Sequence, residues 1–163
     1  MSLFEWNDTM SVGIDVIDKD HRLLVDLLNL LDDAVADGQG KETTGSVLNS
    51  LSDYTEYHFN REEVMLKACN YPDLERHIKA HDSLKARVNE VRRDYEQGDT
   101  ADIDHYVLEF LKDWLQAHII GRDKLYQACM RAHIEDVEEA SREFSRNPTW
   151  SKSDDATAAV HLV

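Results

Sequence analysis

Residues 74–95 read LERHIKAHDSLKARVNEVRRDY, and the period of their apolar positions decides the fold. Steps of three and four residues place one stripe on a single face of a helix: Leu74, His77, His81, Leu84, Val88, Val91 and Tyr95. Two members of this stripe are histidines, although a face that packs on a core is normally apolar. The segment therefore predicts an amphipathic helix with polar groups in its buried face.

Three more stripes of the same period lie on either side of this segment. The first consists of Ile17, His21, Leu24, Leu28, Leu31 and Val35. The second consists of Val47, Leu51, Tyr54, His58, Glu62 and Met65. The last consists of Ile103, Val107, Phe110, Trp114 and His118. Helix-breaking clusters around Gly38, Pro72 and Gly98 separate the four stripes, so the sequence predicts an all-α protein, an antiparallel up-down four-helix bundle.

Composition limits the classes of function. The chain has 163 residues, 42% of them hydrophobic, which is enough for one domain with a core. Its 33 acidic against 18 basic residues give a net charge of −15, which disfavours nucleic acid and anionic membranes as partners. The apolar runs are too short for a membrane span, and the N-terminus does not resemble a signal peptide. We expect a cytoplasmic protein without a membrane span.

The C-terminal part exceeds what four helices need. We expect the bundle over residues 1–131, a short helical extension over 132–145 and a mobile tail over 146–163. In the extension, Ile134, Val137 and Phe144 share one side, which indicates packing on the bundle or contact with a partner. Two isolated cysteines, Cys69 and Cys129, are expected to pack in the core without forming a disulfide or metal site.

Five histidines occupy stripe positions, and this number calls for a common explanation. A buried polar group without a partner costs roughly 1–3 kcal/mol. His58 and Glu62 are four residues apart, as are His77 and His81, so each pair shares a helix face and can reach one metal site. His118 and Asp123 are five apart, which on an ideal helix leaves Asp123 about 140° out of phase. One inserted residue, such as a π-bulge, would turn both side chains inward.

Taken in order, these motifs resemble those of the bacterial hemerythrins. Trp6 and residues 11–21 (SVGIDVIDKDH) resemble the opening of that family. Residues 58–63 (HFNREE) resemble its second helix, 71–81 (YPDLERHIKAH) its third, and 114–123 (WLQAHIIGRD) its fourth. The resemblance extends from residue 6 to about residue 130, without a gap at any ligand position.

The resemblance implies a non-haem site with two iron ions per chain. In the family arrangement His77, His81 and His118 hold one iron, whereas His21 and His58 hold the other. Glu62 and Asp123 bridge both ions, together with an oxo or hydroxo group. The residues by themselves also favour two metals, because seven nitrogen and oxygen ligands exceed the four of a typical zinc site.

This ligand set leaves one open position on the second iron, and the family uses such a position for O2. Trp114, Leu115 and Ile119 match the family's O2 pocket, whereas Phe110 is expected to pack in the core. The resemblance thus implies reversible O2 binding for carriage, storage or delivery, by a protein that is not an enzyme. Two alternatives remain: an O2 or redox sensor that acts through the C-terminal segment, and a reductase of peroxide or nitric oxide. An unidentified protein could receive the O2.

A few polar residues near these motifs need an assignment. Tyr54 and Tyr126 could donate hydrogen bonds near the site or simply pack in the core. Glu63 is expected to be a solvated neighbour of Glu62. Three histidines outside the motifs are expected at the surface, namely His105, His133 and His161.

Overall fold

The computed structural model describes residues 3–39, 41–98 and 105–147, and over these ranges the chain is helical without strands. The helices are α1 (Asp15–Ala36), α2 (Lys41–Ala68), α3 (Leu74–Gln97), α4 (His105–His118), α5 (Lys124–Ala132) and α6 (Ile134–Arg146). A π-helical segment, Ile119–Asp123, joins α4 to α5, and a 3-10 turn at Asp8–Met10 precedes α1. The predicted all-α class is confirmed.

Contacts between opposite ends of consecutive helices show that the bundle is antiparallel. Tyr95, near the end of α3, donates a hydrogen bond of 3.1 Å to the carbonyl of Lys41 at the start of α2. Arg61, late in α2, contacts Asp20, early in α1, at 3.0 Å. The early α3 residue His81 lies 3.1 Å from His118 at the end of α4. These pairings confirm the up-down order.

Short-range polar contacts set where the helices begin and end. The Asp18 carboxylate, in the first turn of α1, accepts hydrogen bonds from the backbone N–H of Val12 (2.7 Å) and the hydroxyl of Ser11 (2.5 Å). It thereby holds the preceding loop against the helix N-terminus, where negative charge is favourable. At the other end of the bundle, α3 stops at Gly98, whose φ of 74° is the left-handed conformation that terminates many helices.

Two apolar clusters fill the bundle, and the polar stripe positions lie between them. Along α1, Ile17 belongs to one cluster and Leu24 to the other, with His21 between them. Along α2, Phe59 and Met65 are divided in the same way. The core is therefore interrupted at one level by a layer of histidines and carboxylates.

The buried face of α4 differs from the predicted stripe. Leu108, Leu111, Leu115 and His118 are buried, whereas Phe110 and Trp114 are only half-buried. The prediction was wrong because the large aromatic residues were taken as the centre of the face. Leucines at the same period of three and four carry the core contact, and the aromatic rings flank it. Ile103 and the side chain of Val107 lie outside the described residues.

The C-terminal extension packs on the bundle. Helix α6 contacts α2, and the rings of Phe144 and Tyr57 have centroids 5.3 Å apart. Val137 and Phe144 are buried, as expected, but Ile134 is 37% exposed, so the predicted apolar side is shorter than the helix. The expected mobile tail falls almost entirely on residues 148–163, which lie outside the described residues. Within the described ranges, the helices lack a stretch with the length and apolar character that crossing a membrane requires.

Candidate metal centre

The structure brings all seven predicted ligand residues together at one level of the bundle. Each of their side chains is at most 4% exposed, although every one is polar or ionisable: His21, His58, Glu62, His77, His81, His118 and Asp123. They come from α1, α2, α3, the end of α4 and the π-helical segment. So many buried polar groups are stable only if each one is hydrogen-bonded or bound to a metal.

The seven residues form two groups that meet at Glu62. In one group a Glu62 oxygen and single nitrogens of His77, His81 and His118 lie within 4.8 Å of one another. In the other, the same holds for Glu62, His21 and His58. Because Glu62 belongs to both groups, its two carboxylate oxygens can serve two adjacent metal ions.

Asp123 lies opposite and also faces both groups. Its Oδ2 is 3.2 Å from His21 Nε2, and its Oδ1 is 3.0 Å from His118 Nε2 and 3.5 Å from His77 Nε2. Yet neither Asp123 oxygen has a hydrogen-bond partner, and the same is true of both ring nitrogens of His21. Atoms that converge at about 3 Å without hydrogen-bond geometry are those a metal ion would satisfy. The donor set therefore fits two ions.

The π-helical segment explains how Asp123 reaches the centre. His118 is the last residue of α4, and the next five residues form the π turn, in which the Lys124 N–H bonds to the carbonyl of Ile119 five residues back. The wider turn takes up one extra residue, so His118 and Asp123 face the same side. The hypothesis of an inserted residue between His118 and Asp123 is confirmed. Helix α5 then resumes with Tyr126 and Met130 in the core.

A buried carboxylate supports the histidine on α2. Asp20, 1% exposed, lies 3.3 Å from His58 Nδ1 and accepts hydrogen bonds from Arg61 (3.0 Å) and from the Tyr54 hydroxyl (2.7 Å). Burial alone would raise the pKa of Asp20, but the hydrogen bond and charge of His58, with the charge of Arg61, hold it below the ordinary value. An ionised Asp20 fixes the His58 ring and leaves Nε2 directed at the centre.

Glu63 supports His81 on α3 in the same way. The expectation that Glu63 is solvated was therefore wrong. Its Oε1 lies 2.8 Å from His81 Nδ1, and its side chain is only 19% exposed. Burial lowers the pKa of His81, but its bonds to Glu62 and Glu63 outweigh burial and raise it to about 9. On the inner side, the Tyr126 hydroxyl donates a hydrogen bond to Glu62 Oε1. Tyr54 and Tyr126 are thus both packed and hydrogen-bonded.

The carboxylates of the centre are ionised. Burial would raise the pKa of Glu62, but hydrogen bonds from His77 and His81 lower it well below the usual range. For Asp123, burial and the neighbouring charge of Glu62 raise the pKa. The charge of His118 and the close ring nitrogens of His118 and His21 lower it by more, so the pKa of Asp123 lies below its ordinary value. Two negative charges side by side in a dry core form a site for cations.

Aromatic rings and a small cavity border the centre. Phe59 stacks on His81 with 3.7 Å between ring centroids, and Trp114 stacks on His118 at 4.5 Å. Beyond these rings lies a cavity of about 30 Å³, enough for a very small molecule. Its lining is apolar apart from one threonine: Leu24, Leu28, Leu51, Thr55, Phe59, Leu84, Val88, Leu111, Trp114 and Leu115. Of the three expected pocket residues, Ile119 is buried in the core but is not part of this lining.

Sequence reasoning missed Asp20 and Arg61. Both lie off the apolar stripes and adjoin a ligand position in the chain, so a periodicity argument assigns them to the solvated face. No local signal reveals that they meet between α1 and α2. Among the histidines outside the motifs, His133 is exposed as expected. The side chain of His105 and the whole of His161 lie outside the described residues.

Comparison with known proteins agrees with the geometry. The model of the hemerythrin HHE cation binding domain matches residues 12–130. The bacteriohemerythrin of Stenotrophomonas maltophilia is 35% identical over 82% of this chain and 86% of its own length. That of Methylococcus capsulatus is 31% identical over 81% of this chain and its full length. A crystal structure of wild-type hemerythrin superposes with a TM-score of 0.75 at 29% identity, covering 78% of this chain and 98% of its own.

Domain match, relatives and fold neighbours thus agree with a buried cluster of histidines and carboxylates that suits non-haem iron. The chain belongs to the hemerythrin family, whose members in general bind O2 at non-haem iron rather than act as enzymes.

Proposed function

We propose that this protein binds O2 reversibly at a di-iron centre and serves in O2 carriage, storage or delivery. One observation carries the proposal: two groups of buried ring nitrogens share Glu62, and the two oxygens of Asp123 face one group each. His77, His81 and His118 would hold one iron, and His21 and His58 the other. Glu62 and Asp123 would bridge both, with an oxo or hydroxo group.

The difference of one histidine between the two groups supports binding of an external molecule. When two irons are bound, they supply two electrons and one open coordination position for O2. The chain keeps this position dry: the apolar cavity has lining residues one helical turn from His21, from His58 and from His118, namely Leu24, Thr55 and Leu115. Trp114 covers the His118 ring from the same side.

Other residues keep the ligands in one geometry. Asp20 and Glu63 hold the outer ring nitrogens of His58 and His81. The Tyr126 hydroxyl donates a hydrogen bond to Glu62 Oε1. Burial and the nearby Asp123 and Glu62 carboxylates raise the pKa of Tyr126 well above its ordinary value. Tyr126 thus acts as a fixed donor and does not titrate near neutral pH. A small cavity with an apolar lining beside ligands held in one geometry is suited to binding and release.

The test is elemental analysis combined with optical spectroscopy. Chain produced with ample iron should contain two irons, and the reduced protein should develop a charge-transfer band with O2 that disappears when O2 is removed. A single metal per chain, or zinc alone, would contradict the di-iron centre. A band that decays while reductant is steadily consumed would contradict reversible binding and indicate an enzyme. Hydrogen peroxide and nitric oxide would then be tested as substrates.

A specific set of contacts favours a sensor as the second candidate. Phe144 of α6 packs on the Tyr57 ring, Tyr57 accepts a hydrogen bond from Arg61, and Arg61 contacts Asp20. Asp20 in turn holds His58, so the C-terminal helix is connected to a proposed ligand by an unbroken series of contacts. A change at the metal that shifts His58 could therefore loosen α6.

Hydrogen exchange tests the sensor. Amide exchange over residues 134–146 is measured in the reduced protein with and without O2. A sensor predicts a difference that disappears in Phe144→Ala, and Ile134→Ala, on the exposed part of the same helix, is the matched control. Equal amide exchange with and without O2 would contradict the sensor and mean that α6 only stabilises the fold.

A further inference from the structure

The two cysteines meet although 60 positions separate them in the chain. Cys69 directly follows the last residue of α2, and Cys129 lies in α5. Their sulfur atoms are 2.7 Å apart, and the Cys129 thiol also lies 2.9 Å from the carbonyl oxygen of Cys69. Both are free thiols. A disulfide requires a separation of about 2.05 Å, which a small side-chain movement would achieve.

The two thiols differ in environment, which determines the order in which they react. Cys69 is 2% exposed and packs with Met65, Tyr126 and Met130. Burial, followed by the hydrogen bond and charge of Cys129, raises the pKa of Cys69 to about 12, so it remains protonated. Cys129 is only partly buried and is the sulfur that a small solute reaches first.

We propose that Cys69 and Cys129 are a redox-active pair, which a small hydroperoxide converts into an intramolecular disulfide between the α2–α3 turn and α5. Cys129 loses its proton and its sulfur attacks one oxygen of hydrogen peroxide. The O–O bond breaks, and the departing hydroxide takes up that proton, which leaves a sulfenic acid and one water. The Cys69 sulfur then attacks the Cys129 sulfur while its proton passes to the departing hydroxyl, so the S–O bond breaks, the S–S bond forms and a second water leaves. In sum, two thiols and one peroxide give one disulfide and two waters.

The disulfide would join two segments that contact each other beside the metal centre. Two residues after Cys69, the Tyr71 ring meets the Tyr126 ring edge-on with centroids 6.2 Å apart. Tyr126, three residues before Cys129, is the donor to Glu62. Oxidation would therefore tie together the turn and the helix that hold this tyrosine pair. The chemistry needs no metal, so the inference stands apart from the proposed function.

The experiment uses the whole chain with its iron oxidised by air and both thiols still reduced, to which hydrogen peroxide is added. After quenching, free thiols are alkylated in denaturant and the intact mass is measured. We expect free thiols to fall from two per chain toward zero. The oxidised chain should carry no alkyl group and have a mass two hydrogens below that of the untreated reduced chain, and dithiothreitol should restore both thiols. The rate should not depend on protein concentration, since the bond forms within one chain.

Two conservative variants separate the roles of the thiols. In Cys69→Ser, Cys129 should form a sulfenic acid that dimedone traps, without a disulfide in the monomer. In Cys129→Ser, Cys69 should stay reduced. The proposal fails if both thiols persist in the parent, or if the cross-links join separate chains. Oxidation of Cys69 at the parental rate in Cys129→Ser would overturn it as well.

Discussion

Glu62 and Asp123 differ from the five histidines because each of them faces both groups of ring nitrogens. Glu62 is shared by both groups, and Asp123 directs Oδ2 at His21 and Oδ1 at His118. Each histidine nitrogen, in contrast, belongs to one group. The two acidic residues should therefore contribute more to metal retention than any one of the five histidines.

Replacing either carboxylate by alanine tests this difference. If the two residues bridge the irons as proposed, Glu62→Ala and Asp123→Ala each remove a ligand from both irons together with a negative charge. Glu62→Ala also leaves the buried Tyr126 hydroxyl without its acceptor, which costs roughly 1–3 kcal/mol. Both variants should retain less iron than His21→Ala, which affects one ion. Iron per chain after gel filtration is the measurement. Equal retention in the three variants would contradict the bridging assignment.

Leu115 tests the dry pocket. It is 9% exposed, lines the small cavity and lies one turn before His118. Leu115→Ala should cost roughly 2–5 kcal/mol of folding stability, the range for truncation of a buried leucine. Water should enter more readily, so the oxygenated spectrum should decay faster with the iron content unchanged.

A surface leucine provides the control for this variant. Leu30, on α1, is 42% exposed, and Leu30→Ala should lose little stability and match the parent in decay. If Leu115→Ala keeps both irons and decays no faster than Leu30→Ala, Leu115 packs in the core but does not restrict access.

At the scale of the element, the π-helical segment keeps α4 and α5 in phase with the core. On an α-helix, residues four apart differ by about 40° and residues five apart by about 140°. The π turn absorbs the extra residue, so Leu115, His118, Asp123 and Tyr126 are all buried. One residue of the segment is thus an insertion into an otherwise regular stripe, and Gly121 is exposed, with open space around it.

Deleting Gly121 should therefore be tolerated. The shortened segment can form a plain α-helix in which the two ligands are four apart, the spacing of His77 and His81. We expect iron content close to that of the parent. Deleting Gln116, also exposed, is the matched control, because it places Leu115 and His118 on opposite faces and should abolish iron binding. Equal iron loss in both deletions would contradict this account of the bulge.

At the scale of the whole molecule, the layer of histidines and carboxylates divides the core into two clusters, and α6 covers one of them. Val137 is fully buried in the cluster that contains Ile17, Met65 and Met130. Burying a side chain of this size contributes about 1.5–3 kcal/mol. The seven proposed ligands, however, lie between residues 21 and 123, before α6 begins.

Two truncations separate these contributions. A chain that ends at Ser145 should keep the iron spectrum and the melting temperature, because it retains Val137 and Phe144. A chain that ends at Ala132 should keep its ligands but melt at a lower temperature, since both side chains and their covering of α2 are lost. Loss of iron from the longer of the two chains would mean that residues after Ser145 support the centre.

The sequence alone determined the class of fold and the level at which the centre lies. The stripes of α1, α2 and α3 indicated the buried side of each helix, although the stripe of α4 did not. Five histidines within the stripes indicated that the buried side is polar at one level. The phase difference between His118 and Asp123 also led to the hypothesis of an inserted residue, which the π segment provides. These inferences succeed because a helix has a fixed rotation per residue, so spacing along one helix translates directly into direction.

Contacts between helices were decided only by the tertiary structure. The pairing of Asp20 with Arg61, the support of His81 by Glu63 and the meeting of Cys69 with Cys129 each depend on how two helices are aligned along their length. The leucine face of α4 depends in the same way on the rotation of that helix against its neighbours. A period within one segment carries no information about such alignment, because the packing of all helices fixes it together.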